Sequence, residues 1–229
     1  MRHGLIIPCR MSSRRLPGKA LAPVAGRPLL WYVHSRLDRL GMPVVVATSD
    51  DDSDDPIAAY CQDAEVPCHR GSLTDVAGRL LSAARSHGLE SFARINGDSP
   101  FVDRELLWTA FAAIESERLD FVTNLVPRTY PYGVAVEVVR TTAYEAVMAA
   151  TTDAADREHA MPAVYRGLAV LRHRRLVRNA GDLSARSLTI DTPADLEAFR
   201  RFVAPRREAW DRITYHDAIE LHPESRITA

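Results

Sequence analysis

Short apolar runs alternate along this chain with longer stretches whose apolar residues recur at helical spacing. Gly4-Leu5-Ile6-Ile7-Pro8-Cys9 reads as a short buried strand. Pro28 then opens an amphipathic helix carrying Leu29, Val33, Leu37 and Leu40 on one face. Val44 to Thr48 is a second buried strand, and Pro56 starts a short helix that runs to about Ala64. Val66 to His69 reads as a third strand. Thr74 is the expected cap of a helix with Val76, Leu80, Leu81 and Ala84 inward and Gly88 as its stop. Phe92 to Ile95 is a fourth strand, followed by a helix capped by Asp103 with Leu106, Leu107, Ala110, Phe111 and Ile114 inward.

The second half is less regular. Asp120 to Thr123 and Val134 to Val139 read as a fifth and a sixth strand, joined by a polar and aromatic loop that carries Arg128, Tyr130 and Tyr132. A helix is expected from about Thr142 to Ala150, and arginine-rich edge strands between Leu168 and Val177. Ser187 to Ile190 reads as a final strand ending at Asp191, where Thr192-Pro193-Ala194-Asp195 starts a helix in near-capping-box form. Strands alternating with helices predict an α/β fold, a mostly parallel sheet covered on both faces. Residues 1–204 are expected to form one domain. Residues 205–229 are expected to be an extension, irregular or with one short helix near Trp210 to Ile219.

Composition narrows this picture. The chain has 229 residues, 46% of them apolar and 26% charged, as in a soluble globular protein with a sizeable core. A formal net charge of −1 gives no general attraction to nucleic acid or to an anionic membrane, so any positive site must be local. The three cysteines, Cys9, Cys61 and Cys68, contain no C-x-x-C and suggest neither a disulfide framework nor a zinc ribbon. No apolar run reaches membrane-spanning length and the N-terminus lacks a secretory apolar region, so the expected location is a reducing cytoplasm.

One stretch stands out chemically. Lys19 is the only lysine among 29 lysine and arginine residues. It closes a segment in which Arg10, Arg14, Arg15, Ser12 and Ser13 crowd together without an acid. A lysine ammonium is a compact point charge on a flexible stem, suited to a phosphate oxygen in a tight loop. Strand, basic loop, then helix places a polyanion site at the carboxyl end of a strand. The loop is neither G-x-x-x-x-G-K-[ST] nor G-x-G-x-x-G. Asp98, in Asn96-Gly97-Asp98-Ser99-Pro100, and Asp191 also lie at strand ends and could converge on it. A basic phosphate loop facing two carboxylates is what a Mg²⁺-nucleotide site requires. Taken singly, Asp98 also fits a turn and Asp191 a helix start. The acids from Asp50 to Asp55 fit helix-start roles better than an EF-hand, whose sixth and twelfth positions would fall on Asp55 and Cys61.

These motifs together resemble the cytidylyltransferases of the spore-coat polysaccharide type, relatives of CMP-sugar-acid synthetases such as CMP-KDO synthetase. The resemblance is carried by Arg10-Met-Ser-Ser-Arg-Arg-Leu-Pro-Gly-Lys19, Gly26-Arg27-Pro28-Leu29-Leu30, Val46-Ala47-Thr48-Ser49, Arg70-Gly71-Ser72 and Arg94-Ile95-Asn96-Gly97-Asp98-Ser99-Pro100. Tyr130-Pro131-Tyr132-Gly133 with Glu137, Arg157-Glu158-His159 and Leu188 to Pro193 complete it, in order, over roughly residues 4 to 203. It implies a Rossmann-like, GT-A-like nucleotidyltransferase fold, a homodimer, and Mg²⁺-dependent transfer of CMP from CTP to an acidic small molecule with release of pyrophosphate. By that likeness Arg10 and Lys19 hold the triphosphate, Asp98 acts with them in catalysis, and Asp98 and Asp191 bind Mg²⁺. Pro8, Cys9, Ser12, Ser13, Arg15, Asn96 and Gly97 join the nucleotide site, with Arg70, Gly71 and Ser72 near its base or ribose. Arg128, Tyr130, Glu137, Arg157 and His159 would line the acceptor pocket. A phosphate or phosphonate acceptor, another nucleotide, and a catalytically silent nucleotide-binding protein of the same fold stay open as alternatives. The longer middle segment of the KDO enzymes is missing, which puts KDO itself in doubt as the acceptor.

Overall fold

A computed structural model describes residues 1–221. Its strands are β1 (His3–Pro8), β2 (Pro23–Val24), β3 (Arg27–Pro28), β4 (Val44–Ser49), β5 (Cys68–Gly71), β6 (Ser91–Arg94), β7 (Phe121–Thr123), β8 (Glu137–Arg140) and β9 (His173–Arg175). Its helices are α1 (Leu29–Asp38), α2 (Asp55–Asp63), α3 (Val76–Ser86), α4 (Arg104–Ser116), α5 (Thr141–Ala149), α6 (Ala154–His159), α7 (Pro162–Arg166), α8 (Pro193–Val203) and α9 (Tyr215–Leu221). Seven strands form one sheet in the order β5-β4-β1-β6-β8-β7-β9, while β2 and β3 pair as a small hairpin. Strand β8 runs antiparallel to both neighbours and the other pairings are parallel, giving the mixed, mostly parallel sheet expected.

The alternation of a strand sends neighbouring side chains to opposite faces. Leu5, Ile7, Val44 and Val46 accordingly join one core with Leu30, Val33, Leu37, Leu107 and Phe111 from α1 and α4. Ile6, Val45 and Ala47 join the other with Leu80, Ala84, Tyr144 and Val164 from α3, α5 and α7. A third cluster packs Tyr32, Phe101, Phe199 and Phe202 around Trp210, so the segment after α8 contributes Trp210, Ile213, Tyr215 and Ala218 to the interior. No helix among the described residues is long and apolar enough to cross a membrane.

Several boundaries differ from the sequence reading, each for a local reason. Strand β5 starts at Cys68 because Val66 still completes the end of α2, its N–H donating to the Cys61 carbonyl at 2.9 Å with Glu65 at positive φ. The side chain of Asn124 bonds the carbonyl of Val134 and the N–H of Val136, so these residues face an amide and β8 begins at Glu137. Asp75, rather than Thr74, caps α3 through the N–H of Gly78. The expected strand at Ser187 to Ile190 is not a sheet strand. It lies against loops instead, Leu188 N–H donating to Tyr132 and Ile190 N–H to the Asp98 carbonyl. The arginine-rich edge is present as β9, and the capping box at Thr192 and Asp195 is formed.

Candidate active site

The parallel strands β1, β4 and β6 end side by side, and a cavity of about 640 Å³ opens beyond them. Its rim is the basic loop that follows β1. That loop folds back on itself, Ser13 and Gly18 N–H groups both donating to the Met11 carbonyl at 2.9 Å. Gly18 has φ +70°, a left-handed conformation that side chains resist, and this turn starts the short helix Lys19–Leu21 and aims Lys19 inward. Asp54, fully buried, fixes the loop from behind, accepting from Met11 N–H at 2.6 Å and from Ser49 N–H at 3.1 Å. Asp51 caps the turn ahead of α2, so this acidic run is structural, in agreement with the helix-start reading.

Three separate segments meet at Lys19. Its Nζ lies 2.5 Å from Asp98 Oδ2 and 3.1 Å from Asp191 Oδ1, and Arg15 Nη2 reaches the same Asp191 oxygen at 2.8 Å. The Ile190 N–H bond to the Asp98 carbonyl ties the two acid-bearing loops together. Burial alone would lower the Lys19 pKa, but the charges and hydrogen bonds of Asp98 and Asp191 outweigh it and hold the ammonium above its usual value. Burial likewise pushes the Asp191 carboxyl up, and Lys19, Thr189 and Arg15 together bring it below its usual range. The Cys9 thiol is pushed up by burial and then by Asp54, which keeps it a neutral, unreactive wall residue.

Of the residues singled out in the sequence, Pro8, Cys9, Arg10, Ser12, Ser13, Arg15, Lys19, Asn96, Gly97, Asp98, His159 and Asp191 all line this cavity. Seven others lie elsewhere. Arg70 turns away, its Nη1 2.6 Å from Asp55 and its Nε 2.9 Å from the Ser49 carbonyl, with Gly71 and Ser72 behind the wall. Arg128 stacks on the Tyr132 ring at 3.4 Å, and Tyr130 packs near Tyr215 in the third core. Arg157 is held by Asp75 at 3.0 Å and by the Met148 carbonyl. Glu137 is 2% exposed, gripped by Arg94 Nη1 at 2.6 Å and by Tyr165 Oη at 2.7 Å.

The sequence reading passed over Val76, Arg79, Arg94 and Glu158 as site residues, though all four line the cavity. A signal existed for two of them. Arg94 interrupts the apolar run from Phe92 to Ile95, and Arg79 sits on the inward stripe of α3 beside Leu80. Arg10 and Glu158 approach to 3.7 Å across the mouth with both side chains well exposed, a pair that contributes little to stability.

A loop rich in cations thus faces two carboxylates across the cavity. Residues 5–221 match the family model described as Cytidylyltransferase. The chain belongs to the cytidylyltransferase family. It is 34% identical over 140 residues to the spore coat polysaccharide biosynthesis protein SpsF of Bacillus subtilis, covering 58% of this chain and 57% of that one. It is 35% identical over 112 residues to a 3-deoxy-manno-octulosonate cytidylyltransferase of Geobacter sulfurreducens, covering 48% and 44%. The chain thus spans about half the length of these curated relatives. The structure of a cytidylyltransferase from Leptospira borgpetersenii superposes with a TM-score of 0.88 at 27% identity, covering 98% of this chain and 94% of that one.

Proposed function

We propose that this cavity binds CTP and that the protein transfers its cytidylyl group to an acidic small molecule, releasing pyrophosphate. The observation that carries the reading is Lys19, gripped by Asp98 and Asp191 at the rim of a loop with three arginines, Arg10, Arg14 and Arg15. In the reaction an acceptor oxygen attacks the α-phosphorus, a new P–O bond forms and the bond to the β-phosphate breaks. Little covalent work falls to the protein, so positioning and charge neutralisation dominate. Arg10 and Lys19 hold the β- and γ-phosphates and meet the charge that develops on the departing pyrophosphate. Ser12 and Ser13 supply hydroxyl donors from the same loop. The His159 imidazole, which lines the cavity, would receive a proton if the acceptor attacks through a hydroxyl.

The donor set also fits Mg²⁺. Among the described residues no three His, Cys, Asp or Glu side chains converge into a closed metal cage. Magnesium in nucleotide sites uses one or two carboxylates and takes its remaining ligands from phosphate and water, and Asp98 and Asp191 match that need. When bound there it would neutralise triphosphate charge, and the two acids would no longer be committed to Lys19 alone. A homodimer, which the family resemblance implies, and the cytoplasmic location expected from the sequence belong to the same proposal.

The test is a pyrophosphate-release screen of CTP, UTP, ATP and GTP against sugar acids and phosphonates, with and without Mg²⁺. Release with CTP, an acidic acceptor and Mg²⁺ is the expected outcome. Turnover with another nucleotide in preference to CTP, or undiminished turnover in EDTA, overturns the corresponding part of the reading.

A further inference from the structure

A cation sealed into a protein wall without a carboxylate beside it is unfavourable unless a ligand completes it. Arg79 is such a group. It projects from the first turn of α3 and is 3% exposed, yet it lines the cavity beside Pro8, Cys9 and Val76. Its Nη1 donates to the Ser72 carbonyl at 2.6 Å, while its Nε is buried and makes no hydrogen bond. Among the described residues no carboxylate pairs with it. Burial lowers its pKa, and the carboxylates of Asp54 and Asp50 oppose that only through space. The Arg70-Gly71-Ser72 turn acts as its bracket. A Cβ on Gly71 would stand 3.3 Å from Arg79 Cγ, and the Ser72 carbonyl fixes one edge of the guanidinium.

The triphosphate already has its cations in the loop from Arg10 to Lys19. Arg79 instead belongs to the part of the wall built from Pro8, Cys9 and Val76, an apolar surface suited to a flat ring. A guanidinium edge presents two parallel N–H donors. Cytosine offers two adjacent acceptors, N3 and O2, whereas uracil carries an N–H donor at position 3. We infer that Arg79 reads the cytosine ring of the nucleotide, its Nε and Nη2 edge turning out of the wall as the ring enters to donate to N3 and O2, and thereby sets a preference for CTP over UTP. The inference rests on the cytidylyl reading above. It makes Arg79 a specificity residue and the 70–72 turn its support.

Calorimetric titration of the full chain with CTP, UTP and inorganic tripolyphosphate separates the possibilities. Wild type should bind CTP more tightly than UTP. Arg79→Met should weaken CTP by about ten- to a hundredfold, change UTP little, and leave tripolyphosphate unchanged. Arg79→Lys, which keeps the charge but not the fork, should also lose the preference while keeping tripolyphosphate. Because it removes a buried unpaired charge, Arg79→Met should melt no lower than wild type. A variant that retains the wild-type CTP to UTP ratio overturns the assignment. So does an equal loss for CTP and tripolyphosphate, which would make Arg79 a phosphate ligand, or a lowered melting temperature in both variants, which would make it a structural group. If wild type itself fails to prefer CTP, it is the cytidylyl reading that falls.

Discussion

Replacing Lys19 by alanine is the sharpest probe of the site, because one atom, its Nζ, joins three chain segments far apart in sequence. Nζ makes charge-assisted contacts of 2.5 and 3.1 Å to Asp98 and Asp191, all three side chains being about one-fifth exposed. With the nucleotide bound, the same ammonium is expected to neutralise phosphate oxygens. A charge-assisted hydrogen bond of this kind contributes roughly 1.5–3 kcal/mol, so losing one should weaken CTP binding and slow turnover about ten- to a hundredfold. Folding should suffer less, since Arg15 still faces Asp191 at 2.8 Å and both acids keep access to water. Calorimetry with CTP gives the binding loss, and thermal melting gives the stability loss. Lys19→Arg is the control for shape: a planar fork is bulkier than an ammonium and must fit between two carboxylates that grip a point charge, so it should be impaired as well. Wild-type affinity and rate in Lys19→Ala would refute the phosphate assignment. Wild-type behaviour in Lys19→Arg would show that charge alone matters here.

Other expectations follow from the same geometry. Asp191 has a folded-state pKa below its ordinary 3.8, so its stabilising contribution is present above that value and is lost as the pH falls through the lowered one. The melting advantage of wild type over Asp191→Asn should therefore hold above the ordinary carboxylate range and shrink as the pH is lowered below 3.8, and an advantage independent of pH would contradict the pairing. Glu137→Gln strands the Arg94 charge, which should cost about 3 kcal/mol and lower the melting temperature by about 6–12 °C. A shift within about 1 °C would show that the pair is not the buried ion pair it looks to be. Trp210→Ala should cost about 3–5 kcal/mol, because the ring is 3% exposed against Tyr32, Phe101 and Phe199, and a neutral result by denaturant titration would deny that this segment belongs to the core.

The strength of each sequence inference tracked how local its physics was. The strand at Leu5 to Ile7 and the helix from Leu29 were readable because a buried strand and an amphipathic helix impose different apolar spacing within a few residues. The capping box at Thr192 and Asp195 was readable because its hydrogen bonds span only three positions. Ser187 to Ile190 misled for the opposite reason. Its composition favours an extended chain, but a sheet strand also needs a free edge, and the chain there runs beside the loops at Tyr132 and Asp98. Arg70, Arg128 and Arg157 are expected near the ligand by the family resemblance, which carries no information on how each side chain turns. Their directions were settled by Asp55, Tyr132 and Asp75, partners the sequence does not point to.

By itself, then, the sequence determined the α/β class, the order of most elements, the basic loop with its single lysine, and the two aspartates at chain turns. Those features depend on residue type and short-range spacing. Only the tertiary structure decided that Lys19 stands between Asp98 and Asp191, that Arg94 and Arg79 reach the cavity, and that the segment around Trp210 closes the third core. Each of these depends on contacts between distant parts of the chain. Such contacts are fixed by how the sheet and its helices bury apolar surface together, and no local pattern specifies them.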